Sequence, residues 1–424
     1  MNKRLVRAAL MACLLGSAAA VAITAPAFAM GGTPSSTPPA KAGTGAKVSV
    51  PVGKLLKPAQ DAMTANDYAG ALVLIKQAQA LPDQTPYDTY KINEFLGNAY
   101  IKLNDHPNAD IAFEAMANSP SVDQEPPENK ANTIRIAALL ATEQKHYADG
   151  IKFAKAFIAL GGPPDGLVLA SMAQAYYYSG DYANAETTAG QIVAATPAGE
   201  APNRGGLEVL FGAQLKAKKQ DEALKTLEQI VTYYDDADEW GQLIGVSLGI
   251  KGIKDFEALH IYRLFQATKA KTGPDDYKVA SALALSIGYP VEAEAMLQAG
   301  GLPVGADVRN RAAADRKTID SFIGVAQKSA TGELDLKAAE TLYGYGRYAD
   351  SEAAARRALQ KGGAKTNANE ANLVLGEALV MQGKTADAVA AFNAISSPTA
   401  ATARAQHLWL LYANRKYAAA APAH

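Results

Sequence analysis

The chain has 424 residues, 49% hydrophobic and 20% charged, with a formal net charge of −1. That balance excludes a disordered chain and a membrane-embedded one, and no block of Lys and Arg offers a footing for nucleic acid. The single cysteine, Cys13, leaves no disulfide framework and no cysteine-ligated metal.

In chain order, the first element is a leader. Lys3, Arg4 and Arg7 form a positive end, residues 8–23 are mostly apolar, and Ala27-Phe28-Ala29 is the small-x-small pattern a signal peptidase reads. Cleavage after Ala29 is expected, which places the protein in the periplasm or outside the cell. Leu10-Met11-Ala12-Cys13 loosely resembles a lipoprotein box. However, Met11 is bulky for its slot and Arg7 leaves almost no apolar run, so Cys13 reads as a residue removed with residues 1–29. Losing three cations from 41 leaves 38 basic against 42 acidic residues, a net charge near −4. No later apolar run approaches the ~20 residues that span a bilayer. Residues 30–53, with Met30-Gly31-Gly32-Thr33-Pro34 and Ser35-Ser36-Thr37-Pro38-Pro39, read as a flexible linker.

Residues 96–120 then set a pattern. Leu96-Gly97-x-x-Tyr100 puts three residues on one helical stripe, and Ala109 and Phe113 form a second stripe after the break at residues 104–107. Pro120 cannot extend the second helix. Small residues let two antiparallel helices touch, and large ones fill the space beside the contact. Such a hairpin cannot bury its apolar face alone, so copies are expected beside it.

The copies are legible. The small position of each second helix falls at Ala71, Ala109, Gly150, Ala185, Ala223, Leu259, Ala293, Ser351 and Ala388, at spacings of 38, 41, 35, 38, 36, 34, 58 and 37 residues. Turn residues precede it, as in Asn66-Asp67-Tyr68, Gly180-Asp181-Tyr182 and Gly346-Arg347-Tyr348. Gly or Asn relieves strain at the end of the first helix, and Asp satisfies free N–H groups at the start of the second. The array divides into residues 54–300, an irregular stretch with one extra helix at 301–330, and further repeats with a cap at 331–424. Leu259 replaces a small residue and Pro290 interrupts the entry to its second helix, so these two pairs are expected to be looser. Residues 399–413, with Trp409 and Tyr412, read as a helix capping the open end.

Three units carry the pattern most fully: residues 96–120, the string Met172-Ala173-x-x-Tyr176…Tyr182…Ala185…Ala189…Pro197, and Leu375-Gly376-x-x-Leu379…Ala388…Phe392…Pro398. They resemble the tetratricopeptide repeat family, over roughly residues 54–400. The resemblance implies an all-α, right-handed α-α superhelix of about nine helix pairs with a C-terminal capping helix. It also implies a concave groove lined by the first helix of each pair. On the well-matched units, the groove positions are Lys91, Glu94 and Asn98, then Arg135, then Gln174, Tyr177 and Tyr178. Glu94 stands where a lysine would be needed for the family's carboxylate clamp. Either tyrosine could instead pack against the next repeat.

Other strings favour structure over chemistry. Gly245-Val246-Ser247-Leu248-Gly249 matches the nucleophile-elbow string, but the elbow needs a strand-to-helix turn and this stretch reads as helix. Gly383-Lys384-Thr385 lacks the upstream glycine of a phosphate loop, since position 378 is Ala. His106, His146, His260, His407 and His424 are scattered with no metal-site spacing, and His106 and His146 fall in turns open to solvent. The acidic run at 235–239 lacks a calcium-loop glycine and reads as a loop whose last carboxylates cap the Trp240 helix. The expectation is a non-enzymatic scaffold without cofactor or metal, holding a protein or peptide partner in the cell envelope. Its rivals are a peptidoglycan- or glycan-binding protein and a lytic-transglycosylase-like enzyme.

Overall fold

The computed structural model describes residues 47–161, 165–249, 251–270 and 273–416. The leader, Cys13 and the linker up to residue 46 lie outside the described residues. No helix among the described residues is long and apolar enough to cross a membrane. The described chain is helical without a strand and falls into two compact units, 47–223 and 224–416.

The first unit is built of hairpins: α1 (Val50–Thr64) with α2 (Tyr68–Gln79), α3 (Pro86–Lys102) with α4 (His106–Asn118), α5 (Pro127–Glu143) with α6 (Tyr147–Ala159), and α7 (Gly166–Tyr178) with α8 (Tyr182–Ala194). The 3-10 turn Pro120–Gln124 joins α4 to α5 and packs against α3. α9 (Arg204–Lys216) follows, and α10 (Gln220–Tyr233) crosses the boundary between units. α1 starts at Val50, inside the stretch read as linker. Pro51 sits in the first turn, where no N–H is needed, and Val52 is already buried.

One rule writes the turns. Asn66, Asn104, Lys145, Gly180, Lys218, Gly288, Gly346 and Gly383 all have positive φ, and each stands five residues before a small buried position. A left-handed residue reverses the chain at the helix end, which glycine and asparagine tolerate best. Asp67, Asp105 and Asp181 then cap the following helices, accepting from Gly70 N (2.8 Å), Asn108 N (3.3 Å) and Asn184 N (3.2 Å). The pair around Leu259 departs from the rule: Lys254, five residues earlier, has φ −84°.

The second unit continues with α11 (Ala237–Ser247), α12 (Asp255–Thr268), α13 (Pro274–Ser286), α14 (Pro290–Ala299), α15 (Ala306–Lys328), α16 (Glu333–Gly344), α17 (Tyr348–Lys361), α18 (Ala368–Met381), α19 (Thr385–Asn393) and α20 (Ala400–Ala413). Pro290 does not interrupt α14. It is that helix's first residue, and α13 and α14 pack as closely as the regular hairpins. α15 is the extra helix. It shifts the alternation of inner and outer helices by one, so α12 and α14, which close their pairs, face the same interior as α16 and α18, which open theirs.

α20 does more than cap an end. It packs on α18 and α19 and also on α12, some 140 residues earlier in sequence. The polar edges of its aromatic residues decide this. Trp409 Nε1 donates to His260 O (2.9 Å), Tyr412 Oη donates to Ala267 O (2.5 Å), and Tyr412 meets the Trp240 ring edge-on at 5.7 Å.

Candidate functional site

The seven predicted groove residues lie on α3, α5 and α7. Lys91 Nζ is held between Glu94 Oε2 (2.8 Å) and Glu125 Oε1 (2.9 Å), and lies 5.5 Å from the centroids of both the Tyr87 and Tyr90 rings. Burial alone would push its ammonium down, but Glu94 and Glu125 more than reverse this and hold it above its ordinary value. Asn98 is exposed and donates from Nδ2 to Glu94 O (2.8 Å). Arg135 is ion-paired through Nε with Asp165, the N-cap of α7. Gln174 is half-buried on α7.

The tyrosines divide. Tyr177 packs edge-on against Tyr182 at 5.7 Å and against Gly212 of α9, where an added Cβ would lie 2.9 Å from its ring. Its ring therefore serves the contact with the next hairpin. Tyr178 is 43% exposed and stacks on Tyr147 of α6 at 5.4 Å. The structure thus gathers Lys91, Glu94 and Asn98 into one patch with Glu125, ties Arg135 to Asp165, and leaves Tyr178 at the surface.

His106 and His146 are not free in their turns. His106 Nδ1 is 2.7 Å from Glu143 Oε1, and His146 Nδ1 is 2.7 Å from Asp110 Oδ2, so two neighbouring hairpins are cross-linked reciprocally. Asp110 is buried, which pushes its carboxyl up despite His146. The signal was in the sequence: the partners are 37 and 36 residues apart, one repeat period.

In the second unit, charge is concentrated where the repeat pattern expects packing. Arg263 of α12 is wholly buried. Its Nε and Nη2 grip Glu292 of α14 (2.7 and 3.0 Å), and its Nη1 reaches Glu340 Oε2 of α16 (2.7 Å) and Glu377 Oε2 of α18 (2.9 Å). Its guanidinium also lies 4.3 Å from the Tyr343 ring centroid. One turn earlier, His260 Nδ1 meets Glu377 Oε1 at 2.7 Å, and His260 Nε2 faces Glu340 Oε1 at 3.6 Å. Burial would lower the imidazole, but Glu377 and Glu340 overcome it and push it up to about 9. Burial raises the Glu292 carboxyl against the pull of Arg263, and raises Glu370, which Glu340 pushes further. Sequence spacing missed this group because its members come from four separate helices. Its one visible trace is Glu377, directly after Gly376 on a helix otherwise patterned for packing.

The remaining strings resolve as structure. Ser247 is buried at the end of α11, donates to Leu243 O (2.6 Å) and accepts from Arg404 Nε (2.9 Å). Gly383-Lys384-Thr385 is a hairpin turn, with Lys384 Nζ paired to Glu352 (2.7 Å). In the acidic run, Asp236 rather than the last carboxylates caps α11, accepting from Asp238 N and Glu239 N (2.9 and 3.2 Å).

Antiparallel helix pairs, a left-handed turn residue at fixed register and neighbours stacked on one another define a helical-repeat protein. Residues 336–401, running from α16 to the start of α20, match the family described as Tetratricopeptide repeat. No curated protein sequence matches it. Similar solved structures include a tetratricopeptide repeat protein from Parabacteroides merdae, at 12% identity over 79% of this chain and 100% of that one, TM-score 0.31. Others are Naa15/Naa10 bound to HypK-THB (15% identity, 80% of this chain and 52% of that one, TM-score 0.38) and the pentatricopeptide repeat protein PPR10 from maize (14%, 85% and 57%, TM-score 0.32).

Proposed function

We propose that the protein is an exported, non-catalytic scaffold that holds a protein or peptide partner on the wall formed by the first helices of unit 47–223. Repeats of this family are generally scaffolds for protein contacts without catalytic groups. One observation carries the reading. α1 lies beside α3, and α5, α7 and α9 lie side by side, so first helices of successive hairpins form a surface fixed by packing behind it. A preformed surface spares a partner the ordering cost that a flexible one imposes. Its charges are already matched internally, at Lys91 and Arg135, so recognition rests on Asn98, the edge of Glu94 and the exposed Tyr178 ring rather than on a basic clamp.

Affinity capture from envelope extract with the mature protein tests this, comparing wild type with Asn98→Trp/Tyr178→Ala. A protein retained by wild type and lost by a variant of unchanged melting temperature supports the reading. Equal capture by both overturns it, and so does robust muropeptide release by the purified protein. Export is tested separately. The N-terminal sequence of the secreted form should begin at Met30, and an intact leader or a lipid on Cys13 would refute it.

A further inference from the structure

We propose that His260, Glu340 and Glu370 form a binding site for a divalent transition-metal ion of the zinc class. The three residues stand on α12, α16 and α18. Each offers one ligand atom, and these atoms all lie within 4.8 Å of one another. The 3.6 Å between His260 Nε2 and Glu340 Oε1 is too long for a hydrogen bond. It is close to the roughly 3.3–3.5 Å edge of a tetrahedron whose ligands sit ~2.0–2.2 Å from a zinc ion.

The second observation is an orphan. Glu340 Oε1 is buried and has no hydrogen-bond partner, while Oε2 of the same carboxylate is locked by Arg263 at 2.7 Å. A buried carboxylate oxygen left without a hydrogen bond is costly, and it lies 3.6 Å from His260 Nε2. Coordination would satisfy it.

The surroundings are those of a metal ligand set. His260 Nδ1 meets Glu377 Oε1 at 2.7 Å, which fixes the ring and turns Nε2 toward Glu340 Oε1. A carboxylate behind a coordinating histidine is the usual arrangement, since it orients the ring and raises its basicity. Glu377 is held in turn by Arg263, whose other nitrogens are committed to Glu292. Charge agrees. Glu292, Glu340, Glu370 and Glu377 carry four negative charges, Arg263 and Lys337 carry two positive, and a neutral His260 leaves −2, which a divalent ion cancels. Lys337 does not compete for the ligands, because its Nζ lies 3.7 Å from the Tyr289 ring centroid and donates to Ile287 O (3.1 Å). Glu370 gives a way in: it is only half-buried, and Asn367 Nδ2 donates to its Oε2 (3.3 Å) at the exposed edge of α18. An imidazole with two carboxylates suits zinc, nickel or cobalt better than calcium or magnesium.

The rival occupant is a proton on Nε2, with His260 an imidazolium paired to Glu340 and Glu377. The mature full chain, stripped with chelator, should take up one equivalent of Zn2+ with a rise in melting temperature, and Co2+ should give visible d–d absorption. Mg2+ and Ca2+ should do neither. Glu370→Gln, at a half-exposed position, should keep the fold and weaken Zn2+ binding at least ~10-fold, and Glu340→Gln should do likewise. Wild type binding no zinc would overturn the proposal. So would a zinc ion that persists in Glu370→Gln but is lost in His146→Gln, which would assign it to Asp110, Glu114 and His146 of the other unit. No partner protein enters the assay, so its outcome is independent of the scaffold reading.

Discussion

Gly97 and Phe113 touch so closely across the α3–α4 hairpin that a Cβ on Gly97 would lie 2.7 Å from Cε2 of the phenyl ring. The same fit recurs in the second unit, where a Cβ on Gly376 would meet Phe392 Cε1 at 2.3 Å. The Leu-Gly-x-x string and the phenylalanine sixteen residues later are therefore two halves of one contact. Gly97→Ala and Gly376→Ala should each destabilise by about 1–3 kcal/mol through overpacking. Gly190→Ala, also in a helix but with nothing within 4 Å, should be neutral or gain about 0.5–1 kcal/mol from the lost flexibility of glycine. Urea denaturation of the three variants checks the pattern.

The second helix is tested by Ala185, wholly buried in the core of the first unit. Ala185→Leu adds three carbons to a closed contact and should cost about 1–3 kcal/mol. A variant that melts like wild type would move that interface elsewhere.

Arg263 holds Glu292, Glu340 and Glu377 together inside the second unit. Arg263→Met keeps most of the side chain's volume but leaves the carboxylates buried without a cation, which should cost about 3–5 kcal/mol. A loss below about 1 kcal/mol in urea denaturation would show that the group tolerates an unmatched charge.

The Arg135–Asp165 pair gives a pH signature. Burial alone would raise the Asp165 carboxyl, but Arg135 and the N–H groups of Val168 and Leu167 outweigh it and leave it below its ordinary value. A depressed carboxyl stabilises the fold above its unfolded pKa, and that contribution is lost as pH falls through the lower folded value. Arg135→Ala should therefore cost about 0.5–1 kcal/mol at pH 7, discounted for partial exposure, and nearly nothing once Asp165 is protonated in both states. Stability curves of wild type and variant should converge on acidification.

Most hairpins were legible because they share the same local chemistry: a left-handed turn residue and a small buried residue five positions on. The extra helix at 306–328 announced itself as a 58-residue gap where the others are near 37. The ionic centre did not, because nothing local marks it. Glu292 and Glu377 lie 29 and 114 residues from Arg263, and only the stacking of the second unit brings them to one point. Nor could spacing show that Tyr177 would turn onto Gly212 while Tyr178 stayed outside. The two are adjacent in sequence, and which one faces the next hairpin depends on how α9 leans on α7. The docking of α20 on α12 was half legible: Trp409 and Tyr412 signalled a buried face, but not which carbonyls would meet their polar edges.

Site-specific photocrosslinking in intact cells tests the central claim most directly. A photoreactive residue at Asn98 or Tyr178, on the proposed wall, should trap a discrete protein partner, while the same residue at Val73 or Ile111, exposed on second helices, should not. Equal adducts at all four positions, or none at the wall, would contradict the account.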